Sequence, residues 1–362
     1  MPSLLLRHWW SRILLAGLIV SELAAARQLH DDREITIHRA EDVAARRAVL
    51  IEYLWGAEGF PRERLPDAVR REIKSPVDHL TALARVDELR IDLAPGMQGI
   101  AYHFIPKQPN GDLVIVHHGH DCQLNDDPSP EEVGHGLQRT IAGLLREGYG
   151  VLGVFMPRHT PEDCTGQHGR MFAIKTTGSP IKFFLEPTAV SLNYLKTRAT
   201  ADTFPAYREF HMVGLSGGGW TTTVYAAIDP AIKASISVAG TMPLYLRFKG
   251  SIGDREQFEP TFYRLAGYPD LYILCAYGAG RRHVQVVIRR DQCCFGEQQH
   301  DVERTGMGYA EALQSYTDQV TAVMRDLDSG SFTLQIDEVA PYHMISHYVI
   351  RSVILPTLRA TR

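Results

Sequence analysis

The 362-residue sequence has no strong excess of either charge, since its formal net charge is only −4. It therefore carries no basic footprint for a nucleic-acid partner. Internal repeats and low-complexity tracts are also missing, so a solenoid or a disordered linker is not indicated. The longest apolar run, Ile13–Val20, falls well short of the ~18 residues that a membrane span needs. No His-Glu-x-x-His helix and no Cys-x-x-Cys pair is present, so the common zinc-site spacings are not found, and no cofactor-binding motif stands out. Cysteine is scarce: Cys122, Cys164, Cys275, Cys293 and Cys294. An odd number leaves at least one thiol unpaired within the chain. Hydrophobic residues at 44 % and charged residues at 22 % are ordinary values, and a chain of this length can bury a sizeable core.

The N-terminus has the form of an export signal. Arg7 and Arg12 precede the apolar run, and Ser21-Glu22-Leu23-Ala24-Ala25-Ala26 supplies small residues for cleavage after Ala26. The expected location is therefore periplasmic or extracellular, with no stable membrane insertion after processing. An uncleaved anchor or a mitochondrial presequence is the competing reading. An oxidising compartment would allow disulfides. Cys122 and Cys164 each follow an expected strand and form the favoured pair, whereas Cys293-Cys294 reads as one buried thiol beside one bonded partner.

Three regions follow from the patterning: a signal peptide over 1–26, a helical N-terminal extension over 27–85, and a catalytic region over 86–362. In the extension, helical spacing begins after Asp42 and ends near Gly56, Gly59 and Pro61, and further helices are expected at 66–73 and 76–84. Strands at 86–93 and 99–105 flank Pro95-Gly96 and read as a hairpin. The continuous apolar run from Leu113 to Val116 reads as a strand buried on both faces. Beyond it strands are expected at 149–156, 209–215, 233–238, 283–288 and 332–336. Helices are expected at 137–147, 186–198, 218–228, 309–327 and 345–358. Such alternation gives an α/β fold with a mostly parallel central sheet and helices on both faces.

Within this frame Gly214-Leu215-Ser216-Gly217-Gly218 follows an apolar strand and opens a helix. A serine on a tight strand-to-helix turn lifts its hydroxyl clear of the sheet, and flanking glycines remove side chains that would collide there. The helix N-terminus below it offers free amides to a developing oxyanion. A glycine-rich turn with a capping serine is the plainer alternative.

From about Leu89 onward, roughly three quarters of the chain resembles the α/β-hydrolase superfamily, in particular its serine esterase and peptidase-like members. The carriers are the strand–turn–helix setting of Ser216, the element order, and His118-Gly119-His120-Asp121 closing an early strand. The resemblance implies Ser216 as nucleophile and the backbone amides of Gly217 and His120 as an oxyanion hole. It implies an acid after the strand at 283–288, which selects Asp291, with Asp254 next and Asp301 third. It implies a histidine after the last strand, which selects His343 over His347, because His347 already lies in the closing helix. His117, His118 and His120 beside Asp121 also suggest a metal cluster, but strand alternation sends His117 to the opposite face, and no metal ligand or cofactor is assigned. His135, His159 and His168 lie in loops without an assigned duty, though the loop bearing the latter two leaves the ligand-binding end of the sheet.

The implied activity is secreted serine hydrolysis of a small-molecule carboxylic ester through a Ser216–His343–Asp291 triad and an acyl-enzyme. The same residues also serve a peptidase or amidase. A non-catalytic exported binding protein on the same fold is a rival of another class, and a metal hydrolase built on residues 117–121 is a third.

Overall fold

A computed structural model describes residues 31–124, 135–166, 168–199, 203–248 and 252–361. The export signal expected over 1–26 lies outside the described residues. Nine strands form one sheet: β1 (Ala68–Arg70), β2 (Leu83–Ala94), β3 (Met97–Pro106), β4 (Asp112–His117), β5 (Gly150–Val154), β6 (Glu209–Leu215), β7 (Ile232–Val238), β8 (Arg282–Ile288) and β9 (Ser331–Asp337). Their spatial order is β1-β2-β3-β5-β4-β6-β7-β8-β9. Pairing is antiparallel from β1 through the β3–β5 contact and parallel from β5 to β9. The chain leaves β4 for β5 on one side and returns to β6 on the other. The C-terminal end of β4 is therefore a topological switch point, where open α/β sheets form their binding crevice.

The helices are α1 (Ala40–Trp55), α2 (Leu137–Arg146), α3 (His168–Met171), α4 (Lys182–Thr197), α5 (Gly217–Ile228), α6 (Pro260–Leu265), α7 (Tyr268–Ala276), α8 (Val302–Thr305) and α9 (Tyr309–Leu327). A π-helical turn (Val349–Ile354) leads into the last helix, α10 (Leu355–Arg359). None of the described helices is long and apolar enough to cross a membrane. Alternation along β4 sends Leu113 and Ile115 to one core cluster, with α1, α4, α5, α7 and α9, and Val114 and Val116 to the other, with α2 and the C-terminal helix. A strand covered on both faces has no polar side to show, which is why β4 reads as an unbroken apolar run. Every residue of α5 is buried. Its Thr221, Thr222 and Thr223 satisfy their hydroxyls on the carbonyls of Gly217, Gly218 and Gly219, one turn back.

The region before β2 corrects part of the sequence expectation. The helix expected to start at Asp42 and end near Gly56 is present as α1, beginning two residues earlier, and Arg47 on it donates to the carbonyls of Ala227 and Leu274. The helices expected at 66–73 and 76–84 do not form. Residues 68–70 instead pair with β2 as an edge strand, held by Arg70 on the buried Glu88 carboxylate at 2.6–2.8 Å, and β2 already begins at Leu83. Pairing with the long hairpin outweighs a weak local helical preference here.

Candidate active site

Register explains how the first site elements meet. β4 and β6 run in parallel with His117 opposite Gly214, so the turns leaving the two strands face each other. Ser216 follows β6 with φ 58° and ψ −129°, and α5 starts at the next residue. A non-glycine residue in that region costs of order 1–3 kcal/mol, a strain that persists where the surroundings over-determine it. They do so here. A Cβ on Gly218 would strike the His117 carbonyl and come within 2.8 Å of the Gly119 nitrogen, and one on Gly214 would strike the Gly218 carbonyl. Gly119, with φ +62°, approaches the turn from the β4 side, where a Cβ would sit 2.5 Å from the Leu215 carbonyl oxygen. The two turns are thus packed backbone on backbone. The expected oxyanion donors lie at this junction, and neither the Gly217 nor the His120 N–H donates to a backbone acceptor among the described residues.

The expected acid and base follow β8 and β9, the last two parallel strands of the sheet. Asp291 follows β8 and is fully buried. Its Oδ1 accepts from the amides of Cys293 and Cys294 at 2.8 and 3.0 Å, and its Oδ2 lies 2.7 Å from His343 Nδ1. That arrangement fixes the carboxylate and directs the Nδ1–H of His343 toward it, leaving Nε2 as the free base. His343 sits in the loop after β9, partly exposed, whereas His347 is exposed on the C-terminal helix. Ser216 and His343 are brought together around Cys293-Cys294. The Ser216 hydroxyl acts on the Cys294 thiol, lowering its pKa against the larger opposing effects of Cys293 and burial, and both sulfurs lie within 4.8 Å of a His343 ring nitrogen. No Ser216–His343 hydrogen bond is formed in the described structure; such pairs often tighten only around a bound substrate.

The other acid candidates are engaged elsewhere. Asp254 Oδ2 lies 2.9 Å from His120 Nε2, and Asp301 caps α8 by accepting from the Arg304 amide at 3.0 Å. The residues 117–121 do not form a metal ligand set among the described residues. His117 Nδ1 accepts from the Gly119 amide, and the His118 ring stacks on Phe155 at 4.4 Å while its Nδ1 meets the Gln123 carbonyl.

Cys122 and Cys164 form a disulfide with Cα atoms 5.8 Å apart, tying the loop after β4 to the loop after β5. Cys293 and Cys294 are both free thiols, which replaces the expected buried-and-bonded division between them. Their place beside Asp291 and His343 was not foreseen, because nothing in a Cys-Cys pair indicates that its two amides will hold a carboxylate. The adjacent Cys294 thiol favours the Cys293 thiolate and holds it below the ordinary thiol range. Three further residues went unassigned: His159, His168 and Glu256. The Glu256 carboxylate raises the pKa of His168 against the opposing effect of burial, and burial lowers that of His159 to about 4.

Comparison with known proteins bears on the fold. No protein-family model matches the sequence, and comparison with curated proteins yields no match. Among solved structures, the chain is similar to Methylesterase BT1017, with a TM-score of 0.56 and 15 % identity. The alignment covers 92 % of this chain and 66 % of that one, so the chain spans just under two thirds of its length. It is also similar to a glucuronoyl esterase from Solibacter usitatus, with a TM-score of 0.54, 11 % identity and coverage of 89 % and 92 %. The nine-stranded, mostly parallel sheet with helices on both faces therefore has the α/β-hydrolase fold. At these identities the likeness concerns the fold; both of these structural neighbours are named esterases.

Proposed function

We propose that the chain is an exported serine hydrolase that cleaves small carboxylic esters through Ser216, His343 and Asp291. The observation that carries this reading is the 2.7 Å contact of the buried Asp291 with His343 Nδ1, beside a serine held at φ 58° between β6 and α5. In the proposed reaction His343 Nε2 takes the Ser216 proton as Oγ attacks the ester carbonyl carbon. The carbonyl π-bond pair moves to oxygen, where the Gly217 and His120 amides receive it; one such donor is worth about 3 kcal/mol in the transition state. The imidazolium, stabilised by Asp291, protonates the departing alkoxide, leaving an acyl-Ser216. Water then repeats the sequence, with His343 again as base, and releases the carboxylic acid and free Ser216.

Export is supported by the N-terminal pattern and by the Cys122–Cys164 disulfide, which persists in an oxidising compartment. Turnover of p-nitrophenyl acetate against a peptide p-nitroanilide tests the proposal. Ester turnover that falls by roughly 10⁴-fold or more in Ser216→Ala and His343→Ala is expected. Turnover unchanged in both variants would remove the assignment, and a marked preference for the anilide would replace the esterase with an amidase.

A further inference from the structure

Next to the oxyanion turn, three loops at the C-terminal end of the sheet bring together five side chains of metal-ligating type. His120 follows β4; His159 and His168 lie in and at the end of the loop after β5; Asp254 and Glu256 come from the segment between β7 and α6. His120 Nε2 is 2.9 Å from Asp254 Oδ2, and His168 Nδ1 is 3.1 Å from Glu256 Oε1. One ligand atom from each of these four residues lies within 4.8 Å of all the others, and the same holds for His120, His159 and His168. The imidazole rings pack at centroid distances of 4.7, 5.2 and 4.9 Å.

Hydrogen bonding within the cluster is incomplete in a way that a cation completes. Glu256 is wholly buried, yet its Oε2 has no hydrogen-bond partner among the described residues. His120 Nε2 is likewise shielded from solvent and faces Asp254 Oδ2 at 2.9 Å. His168 Nε2 meets the Pro157 carbonyl at 3.1 Å, a contact that requires the proton on Nε2, so Nδ1, 3.1 Å from Glu256 Oε1, is the atom left to a metal, which would displace the proton that Glu256 favours there. His159 Nδ1 meets the His120 carbonyl at 3.1 Å in the same way, freeing its Nε2. Backbone carbonyls that set the tautomer of a histidine are the usual outer support of a metal site.

We propose that His120, His168, Asp254 and Glu256, with His159 alongside, bind one divalent transition-metal ion of the Zn²⁺ class. Two carboxylates balance its charge. Imidazole nitrogens with carboxylate oxygens and no thiolate suit Zn²⁺ and its neighbours, whereas Mg²⁺ and Ca²⁺ take oxygen ligands. Ligand bonds of about 2.0–2.2 Å place the donors of one ion at most about 4.4 Å apart, close to the 4.8 Å within which these four donors already lie. The site adjoins Ser216 without using it: the His120 ring lies 2.8 Å from where a Gly217 Cβ would stand. Metal binding and serine chemistry are thus separate claims.

The test uses the full-length, tag-free protein and its Ser216→Ala variant, stripped with chelator, reloaded with Zn²⁺ or Co²⁺, desalted and analysed for metal. One ion per chain is expected in both, with Co²⁺ giving ligand-field absorption and no thiolate-to-cobalt charge-transfer band. His168→Gln and Glu256→Gln should weaken binding by more than the ~10–100-fold that loss of an outer-shell group costs. A folded chain that retains no ion would overturn the proposal, as would undiminished affinity in both variants. A thiolate band would also overturn it by placing the ion at Cys293 and Cys294. Should the variants fail to fold, the Co²⁺ spectrum of the unmodified chain still decides.

Discussion

Replacing Asp291 by Asn keeps the shape of the side chain but changes which of its atoms can accept a hydrogen bond. Asp291 Oδ1 accepts from two amides, Cys293 N at 2.8 Å and Cys294 N at 3.0 Å, while Oδ2 faces His343 Nδ1 at 2.7 Å. An Asn that keeps its oxygen on the two amides must turn its NH₂ toward His343. The ring then has to accept at Nδ1 and carry its proton on Nε2, where it can no longer take one from Ser216. The opposite rotamer sets an NH₂ against two N–H donors in a buried place, which costs more. The tautomer loss therefore dominates, and comparable substitutions lower kcat by ~10⁴-fold, equivalent to about 5.4 kcal/mol of transition-state stabilisation. Ester turnover with matched circular-dichroism spectra measures it. Asp301→Asn is the control, because Asn caps the short α8 as well as Asp does, and its activity should be unchanged. Asp291→Asn activity within about tenfold of the unmodified chain would refute the reasoning, since a carboxylate opposite Nδ1 would then be dispensable.

Gly218→Ala sets a Cβ against the His117 carbonyl and the Gly119 nitrogen, both backbone atoms that cannot swing aside; a stability loss of about 3 kcal/mol or more is expected in urea titration, and an unchanged midpoint would show that the two turns do not pack as described. His103 and His283 are fully buried, and burial lowers their pKa to about 3. Between there and the unfolded value of about 6.5 the unfolded chain binds more protons, so stability falls as pH is lowered through this window. At pH 5 each histidine should cost roughly 2 kcal/mol relative to neutral pH, read as a shift in the urea midpoint. Cys293 is exposed, favours the thiolate, and lies beside His343. Iodoacetamide at neutral pH should therefore alkylate it ahead of Cys275 and stop ester turnover, whereas Cys293→Ser should resist the reagent. Full activity after complete alkylation of Cys293 would place that thiol away from the base.

Much of the fold was legible because its signals are local. The strand at 209–215 and the helix at 309–327 appear with the boundaries their apolar patterning predicts. The elbow at Ser216 was legible because three chemical requirements, strand, tight turn and helix start, leave their marks in consecutive residues. Asp291 and His343 were selected through the order of the elements, and the structure sets them 2.7 Å apart. The losses have physical causes as well. Helix α7 is buried along its whole length, so it carries no polar face and no helical period to read. Residues 68–70 form a strand only because β2 offers an edge to pair with, a long-range condition that a sequence window does not contain. The grouping of His120, His159, His168, Asp254 and Glu256 depends on three loops converging, and single histidines in loops give no sign of it. The pairing of Cys122 with Cys164 was anticipated from both following neighbouring strands, and the disulfide bears that out.

The central claim is an activated serine at position 216, and a fluorophosphonate probe reports on that activation without requiring knowledge of the substrate. The purified chain should label stoichiometrically, with labelling abolished in Ser216→Ala and strongly slowed in His343→Ala. A folded chain that does not label, or one that labels equally well in both variants, would contradict the account.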